Sequence, residues 1–257
     1  MIDPLYSLSG FFVGAIVGLT GVGGGSLMTP LLILAFGVHP TTAVGTDLLY
    51  AATTKTVGSA IHGFHDAISW SVVALLALGS VPGATLALWV LSKTEGVDAQ
   101  TARWISLTLG AMLLLTALTI VFRKALVKAA SRSKEPSRIK RIALTISFGL
   151  IIGVLVSISS IGAGAIGVTV LLILYPKMPM HRVVATDLAH AVPLTLVAGL
   201  GHWMIGNVDW IMLVSLLLGS IPGIMIASHF ARKVPEFVIR WILSTVLAIV
   251  GVKLVLS

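Results

Sequence analysis

The sequence predicts an all-α integral membrane protein made of two pseudo-symmetric repeats. Each repeat is a glycine-rich broken, re-entrant helical hairpin followed by three transmembrane helices. Three observations lead there: the composition, the lengths of the apolar segments and an internal duplication. Of the 257 residues, 57% are hydrophobic and only 10% charged, with a mean hydropathy of +1.06. Soluble domains carry roughly 25% charged residues, so this chain lacks the side chains to cover a water-exposed surface, and its apolar residues face lipid.

The apolar segments fall at 5–37, 42–62, 68–92, 103–122, 142–176, 183–203, 208–230 and 238–256. A single span takes about 20 residues, and six of the segments fit that length. The first and fifth are too long for one straight span and too short for two. Both have glycine-rich centres, Gly18-Leu-Thr-Gly21-Val-Gly23-Gly24-Gly25-Ser26 and Ser159-Ser160-Ile161-Gly162-Ala163-Gly164-Ala165. Glycine lowers helix stability and permits positive φ, so each long segment is expected to be two short helices joined by a non-helical hinge. Such backbone survives at membrane depth only where protein or a polar cavity surrounds it.

The duplication covers nearly the whole chain. A shift of 140 residues places Val44, Thr46, Asp47 and Leu48 on Val184, Thr186, Asp187 and Leu188, and His62 on His202. The same shift places Gly79-Ser80-Val81-Pro82-Gly83 on Gly219-Ser220-Ile221-Pro222-Gly223. The expected organisation is a first repeat over 1–123, a basic cytoplasmic linker over 124–141 and a second repeat over 142–257. Charge sets the relative orientation. If both long segments are re-entrant, thirteen Lys and Arg lie on the linker's side and three opposite. If both cross, the segregation collapses. The positive-inside rule favours re-entrant hairpins, and three spans per half then invert the second repeat. The linker is read as a mobile, water-exposed topogenic loop. With its charge explained this way, the net charge of +8 gives no reason to invoke nucleic acid. The N-terminus lacks a basic n-region, so the first apolar segment is expected to stay.

Candidate functional residues follow from what is costly in a membrane. A broken helix presents free N–H groups and a positive dipole end that suit an anion. Gly23, Gly24, Gly25 and Ser26 in the first hinge, and Gly162, Ala163, Gly164 and Ala165 in the second, are the candidate donors. Close helix packing through small residues competes with that reading, most strongly at Gly10, Gly14 and Gly18. Thr29-Pro30 reads as a helix start, with Thr as cap and Pro at the first helical position. Asp47 and Asp187 are expected either to couple an ion or support the hinge, or to complement a helix dipole. Lys55 is the only Lys or Arg well inside an apolar segment. It either walls an anion site or snorkels to a surface. His190 and His202 are candidate anion ligands, and the Gly-Ser-x-Pro-Gly motifs are kinks or gating hinges.

No cysteine is present, and no nucleotide-binding loop, zinc-protease motif or nucleophile elbow occurs. The expectation is therefore a non-enzyme without cofactor or metal, with no catalytic residues. It would be a secondary transporter for a small anion, with a passive anion channel as the alternative. The lipid bilayer and the anion are the expected partners, with no nucleic acid; a homodimer is left open.

The opening Gly18-x-x-Gly21-x-Gly23-Gly24-Gly25-x-x-x-x-Pro30, the run Val184-Ala185-Thr186-Asp187-Leu188-Ala189-His190-Ala191 and the duplicated halves resemble the TauE/SafE family of sulfite exporters. The resemblance spans essentially the whole chain. It implies export of a small sulfur-containing anion, sulfite or an organosulfonate, across a bacterial cytoplasmic membrane. The second half departs from the first, with Gly162-Ala163-Gly164 in place of three glycines and Thr169 opposite Pro30.

Overall fold

The computed structural model describes residues 3–20, 25–62, 68–93, 99–131, 136–162, 164–230 and 236–256. Every regular element among them is a helix. The order is α1 (Pro4–Thr20), α2 (Gly25–Phe36), α3 (Pro40–His62), α4 (Trp70–Lys93), α5 (Ala99–Ser131), α6 (Arg138–Ser159), α7 (Ala165–Leu174), α8 (Met180–Met204), α9 (Trp210–Phe230) and α10 (Glu236–Leu256). Trp70–Lys93, Ala102–Lys128, Arg138–Ser159, Met180–Met204 and Trp210–Ala227 are each long and apolar enough to cross a membrane. Their outward faces carry large apolar side chains such as Leu78, Leu118 and Ile226. All six tryptophans, Trp70, Trp89, Trp104, Trp203, Trp210 and Trp241, are exposed and sit within a few residues of a helix end. Exposed rings at helix ends form the belts that anchor spans at the two membrane–water boundaries.

Both long apolar segments fold back on themselves. Tyr6, near the start of α1, packs on Phe36, the last residue of α2, with ring centroids 4.7 Å apart. In the second segment, Thr145 Oγ1 lies 2.9 Å from Tyr175 Oη just past α7, and the Arg141 guanidinium sits over the Tyr175 ring. The end of each segment thus returns to its beginning, and in the second the glycine-rich stretch forms the tip. At 12 and 10 residues, α2 and α7 are about 18 and 15 Å long, short of the ~30 Å apolar thickness of a bilayer.

Three expectations need correction. The second long segment is not two short helices, because α6 starts at Arg138 inside the basic stretch and runs for 22 residues. Ser137 caps it by accepting from Lys140 N–H. Nor is 124–141 a plain loop. Its described residues are mostly the exposed ends of α5 and α6, because the polar residues there continue the helices beyond their apolar parts. Finally, Thr29 is no cap. Helix α2 starts at Gly25 and contains Pro30, so the helix begins at the glycine run itself.

Helices α3 and α8 occupy the centre. Every residue from Ala43 to Ala52 is buried, so this part of α3 has no lipid-facing stripe and tolerates polar side chains. The outer helices pair through glycine. A Cβ on Gly10 or Gly14 of α1 would strike the backbone at Leu216 or Ser220 of α9; one on Gly219 or Gly223 would strike Ser7 or Phe11. The same contact recurs between Gly79 and Gly83 of α4 and Gly149 and Gly153 of α6. Small residues let these backbones approach, and close contact substitutes for the hydrophobic driving force that lipid does not supply. Each pair joins a helix before the basic stretch to one after it.

Candidate functional site

The second hairpin tip is described in most of its backbone. After Ser159 the chain turns through Ser160 at φ 58°, with Gly162 at φ 125° and Gly164 at φ 140°. A side chain on either glycine would be strained there. The tip is buried at Ser159, Ser160, Ile161, Gly162 and Gly164. Ser159 stabilises it locally, its hydroxyl donating to Leu155 O at 2.7 Å and accepting from Ile161 N–H at 3.2 Å. Helix α7 then begins at Ala165 with no side-chain cap; its first turn points at the tip, with Gly167 N–H donating to Gly162 O at 3.4 Å. In the first hairpin Gly23 and Gly24 lie outside the described residues, as does Ala163 in the second. Gly25 opens α2, and the side chains of Ser26 and His62 are also outside the description.

The five ionisable candidates all sit on α3 and α8, the two innermost helices, and all are buried: Asp47, Lys55, Asp187, His190 and His202. Thr29 of α2 donates its hydroxyl to Asp47 Oδ2. On its other side the Asp47 carboxyl has the Ser160 hydroxyl beside it, yet neither Asp47 Oδ1 nor Ser160 Oγ completes a hydrogen bond among the described residues. Asp47 therefore stands between the two hairpins, touching α2 of one and the tip of the other. Asp187 lies against Gly167 one turn into α7, filling the space a Cβ would take. Asp47 is held by a threonine hydroxyl, and Asp187 by a glycine that makes room for it.

Lys55 is 4% exposed, so it does not snorkel. Asp187 of α8 is its first electrostatic neighbour and Asp47 its second. Its repeat equivalent is Thr195, whose hydroxyl turns back to Ala191 O at 2.8 Å. The cation is thus present on one side only. His190 lies in the field of Lys55, and its Nε2 sits 2.8 Å from Ser80 Oγ of α4. His202 Nε2–H donates to Ser157 O near the end of α6 at 2.8 Å, and its Nδ1 has no partner among the described residues. No group of three metal-ligating side chains comes together among the described residues.

Sequence reasoning missed Tyr50 and the role of Ser80. Tyr50 is wholly buried, neighbours Asp47 and Ser220, and leaves its hydroxyl unpartnered among the described residues. The 140-residue shift that aligns Asp47 with Asp187 also aligns Tyr50 with His190 and Ser220 with Ser80, so the signal was present in the repeat. The kink motifs thereby gain a second job, carrying the serines that face these two side chains. The shift also relates two further contacts. Ser69 N–H donates to Thr186 Oγ1 at 3.0 Å, and Asp209 N–H donates to Thr46 Oγ1 at 3.1 Å.

The sequence profile of the family described as Sulfite exporter TauE/SafE matches residues 6–254. A probable membrane transporter protein of Bacillus subtilis, YjnA, is 39% identical over 96% of this chain and 98% of its own. Another from the same organism, YdhB, is 28% identical over 95% of this chain and 96% of its own. A probable membrane transporter protein of Methanocaldococcus jannaschii is 25% identical over 98% and 95%. No solved structure matches at a significant level.

Proposed function

We propose that this chain, which belongs to the TauE/SafE family and is a multi-pass membrane transporter, exports a small sulfur-containing anion, sulfite or an organosulfonate. The membrane is the cytoplasmic one of a bacterium. The two halves act as inverted repeats, with α1–α2 and α6–α7 entering from opposite faces as re-entrant hairpins. The substrate sits where the hairpin tips meet α3 and α8. One observation carries this reading: Asp187 lies against the uncapped first turn of α7, and the buried Lys55 ammonium is its electrostatic neighbour, in a membrane interior otherwise poor in charge. Helix N-termini and a desolvated cation attract negative charge, and hairpins ending at mid-depth are where such transporters hold substrates. His190 and His202 would shape the pocket from α8, and the N–H groups of Gly23–Ser26 and Gly162–Ala165 would line it. Alternating access would come from the hairpin-bearing elements moving against the others.

Export needs no ATP-binding element. An inside-negative potential drives anions out with about 2.3 kcal/mol per charge per 100 mV, equivalent to roughly a fiftyfold concentration ratio for a monovalent ion. The test is counterflow of radiolabelled sulfite into proteoliposomes preloaded with sulfite, sulfoacetate, taurine or a carboxylate. Saturable exchange with sulfite or sulfoacetate is expected. Exchange only with cationic or neutral compounds would remove the anion assignment, and ohmic currents without exchange would make the protein a channel.

A further inference from the structure

We propose that Asp47 is the coupling group: its Oδ1, unpartnered among the described residues, takes up one proton when the anion binds and releases it when the anion leaves. This rests on the anion-transport reading above and adds the ion that accompanies the substrate. Asp47 is 0% exposed. Thr29 holds its Oδ2, while Oδ1 has no donor among the described residues. The neighbouring Ser160 and Tyr50 hydroxyls are likewise unpartnered there, so the pocket around Oδ1 has unused hydrogen-bonding capacity. A buried charged acceptor without a donor is costly, and a proton on Oδ1 removes the charge that makes it so.

Charge balance decides which carboxyl takes the proton. The groups in electrostatic reach of Asp47 on its own helix are Lys55 and Tyr50, and the buried ionisable groups of α8, the other inner helix, are Asp187, His190 and His202. Thr29 of α2 and Ser160 at the end of α6 set hydroxyls beside Asp47, Ser220 of α9 sets one beside Tyr50, and among the described residues α5 presents no buried ionisable group. Among the described residues, two carboxylates and one ammonium are therefore buried together. Lys55 has Asp187 as its first electrostatic neighbour and Asp47 as its second, so one ammonium offsets two carboxylates and Asp47 is the less compensated of the two. An ionised Asp47 repels an anion arriving at the adjacent tips, and a protonated one does not. Anion and proton then bind cooperatively, each favouring the other by the same factor. A divalent anion leaving with one proton carries one net negative charge outward, so an inside-negative potential still favours export.

The experiment compares, in one proteoliposome preparation, sulfite and sulfoacetate counterflow with uptake driven by an acid-outside pH gradient at clamped zero potential. The wild type is expected to accumulate anion several-fold above the no-gradient level. Asp47→Asn is expected to lose the gradient response relative to its own counterflow, and Asp47→Glu to recover it. A second readout guards against a variant that fails to fold: sulfoacetate added to unbuffered purified wild type should take up close to one proton per chain. Counterflow that ignores the pH gradient, accumulation driven by sodium instead, or a gradient response surviving in Asp47→Asn overturns the coupling proposal alone. Absence of any anion counterflow sinks the parent reading and the coupling proposal with it.

Discussion

At the residue scale, the site is a set of buried groups that compensate one another across helices. Lys55 of α3 and Asp187 of α8 are electrostatic neighbours. Removing one member of such a pair leaves an uncompensated buried charge, at a cost of about 3–5 kcal/mol, whereas removing both together is far milder. Lys55→Met is therefore expected to lower the apparent Tm of the purified protein strongly, and Lys55→Met combined with Asp187→Asn to recover most of it. Both should lose sulfite counterflow at least tenfold. A double mutant no more stable than the single one would show that the two residues do not act as a pair. Thr29 gives a smaller test. Thr29→Val deletes the donor to Asp47 Oδ2 and should cost about 1–3 kcal/mol, seen as a lower Tm, while Thr29→Ser retains the bond and most of the stability.

At the scale of elements, glycine sets which helices touch. Gly14 lies against the backbone of Ser220 and Gly153 against that of Ser80, so a side chain at either must push whole helices apart. Gly14→Val is expected to abolish a monodisperse, detergent-stable protein, as judged by size-exclusion chromatography. Phe12→Val, two residues away on a lipid-facing position, should leave the elution profile unchanged. An equal effect of both substitutions would mean that α1 does not pack on α9 through this face. Gly14 was legible in the sequence as a small residue at helical spacing, but its partner was not, because the partner lies on a helix some two hundred residues later in the chain. The start of α6 was illegible for a different reason. Arg138, Lys140 and Arg141 read as a polar linker, although nothing in their backbone preferences opposes helix. Ser137 supplies the cap that starts it.

At the scale of the whole molecule, the hairpins and the inversion make a topological claim. The absence of cysteine gives single-cysteine labelling no background. Ser137→Cys and Lys177→Cys, at the two ends of the α6–α7 hairpin, are expected to react with an impermeant maleimide from the same side of the membrane. Gly37→Cys, at the end of the α1–α2 hairpin, should react from the opposite side. Labelling of 137 and 177 from opposite sides would mean that the segment crosses; labelling of 37 and 177 from one side would mean parallel halves.

The sequence by itself determined the solvent of this protein, the number of its apolar segments, the position of its helix breaks and the matched pairs Asp47–Asp187 and Ser80–Ser220. These are properties of composition, local backbone preference and repetition, each written along the chain. Only the tertiary structure decided that Lys55 neighbours Asp187, that Asp47 lies between Thr29 and Ser160, and that α1 packs on α9 while α4 packs on α6. Those contacts join residues far apart in sequence and depend on close backbone approach. A pattern of residue types can permit such an approach, but only the folded arrangement selects its partner.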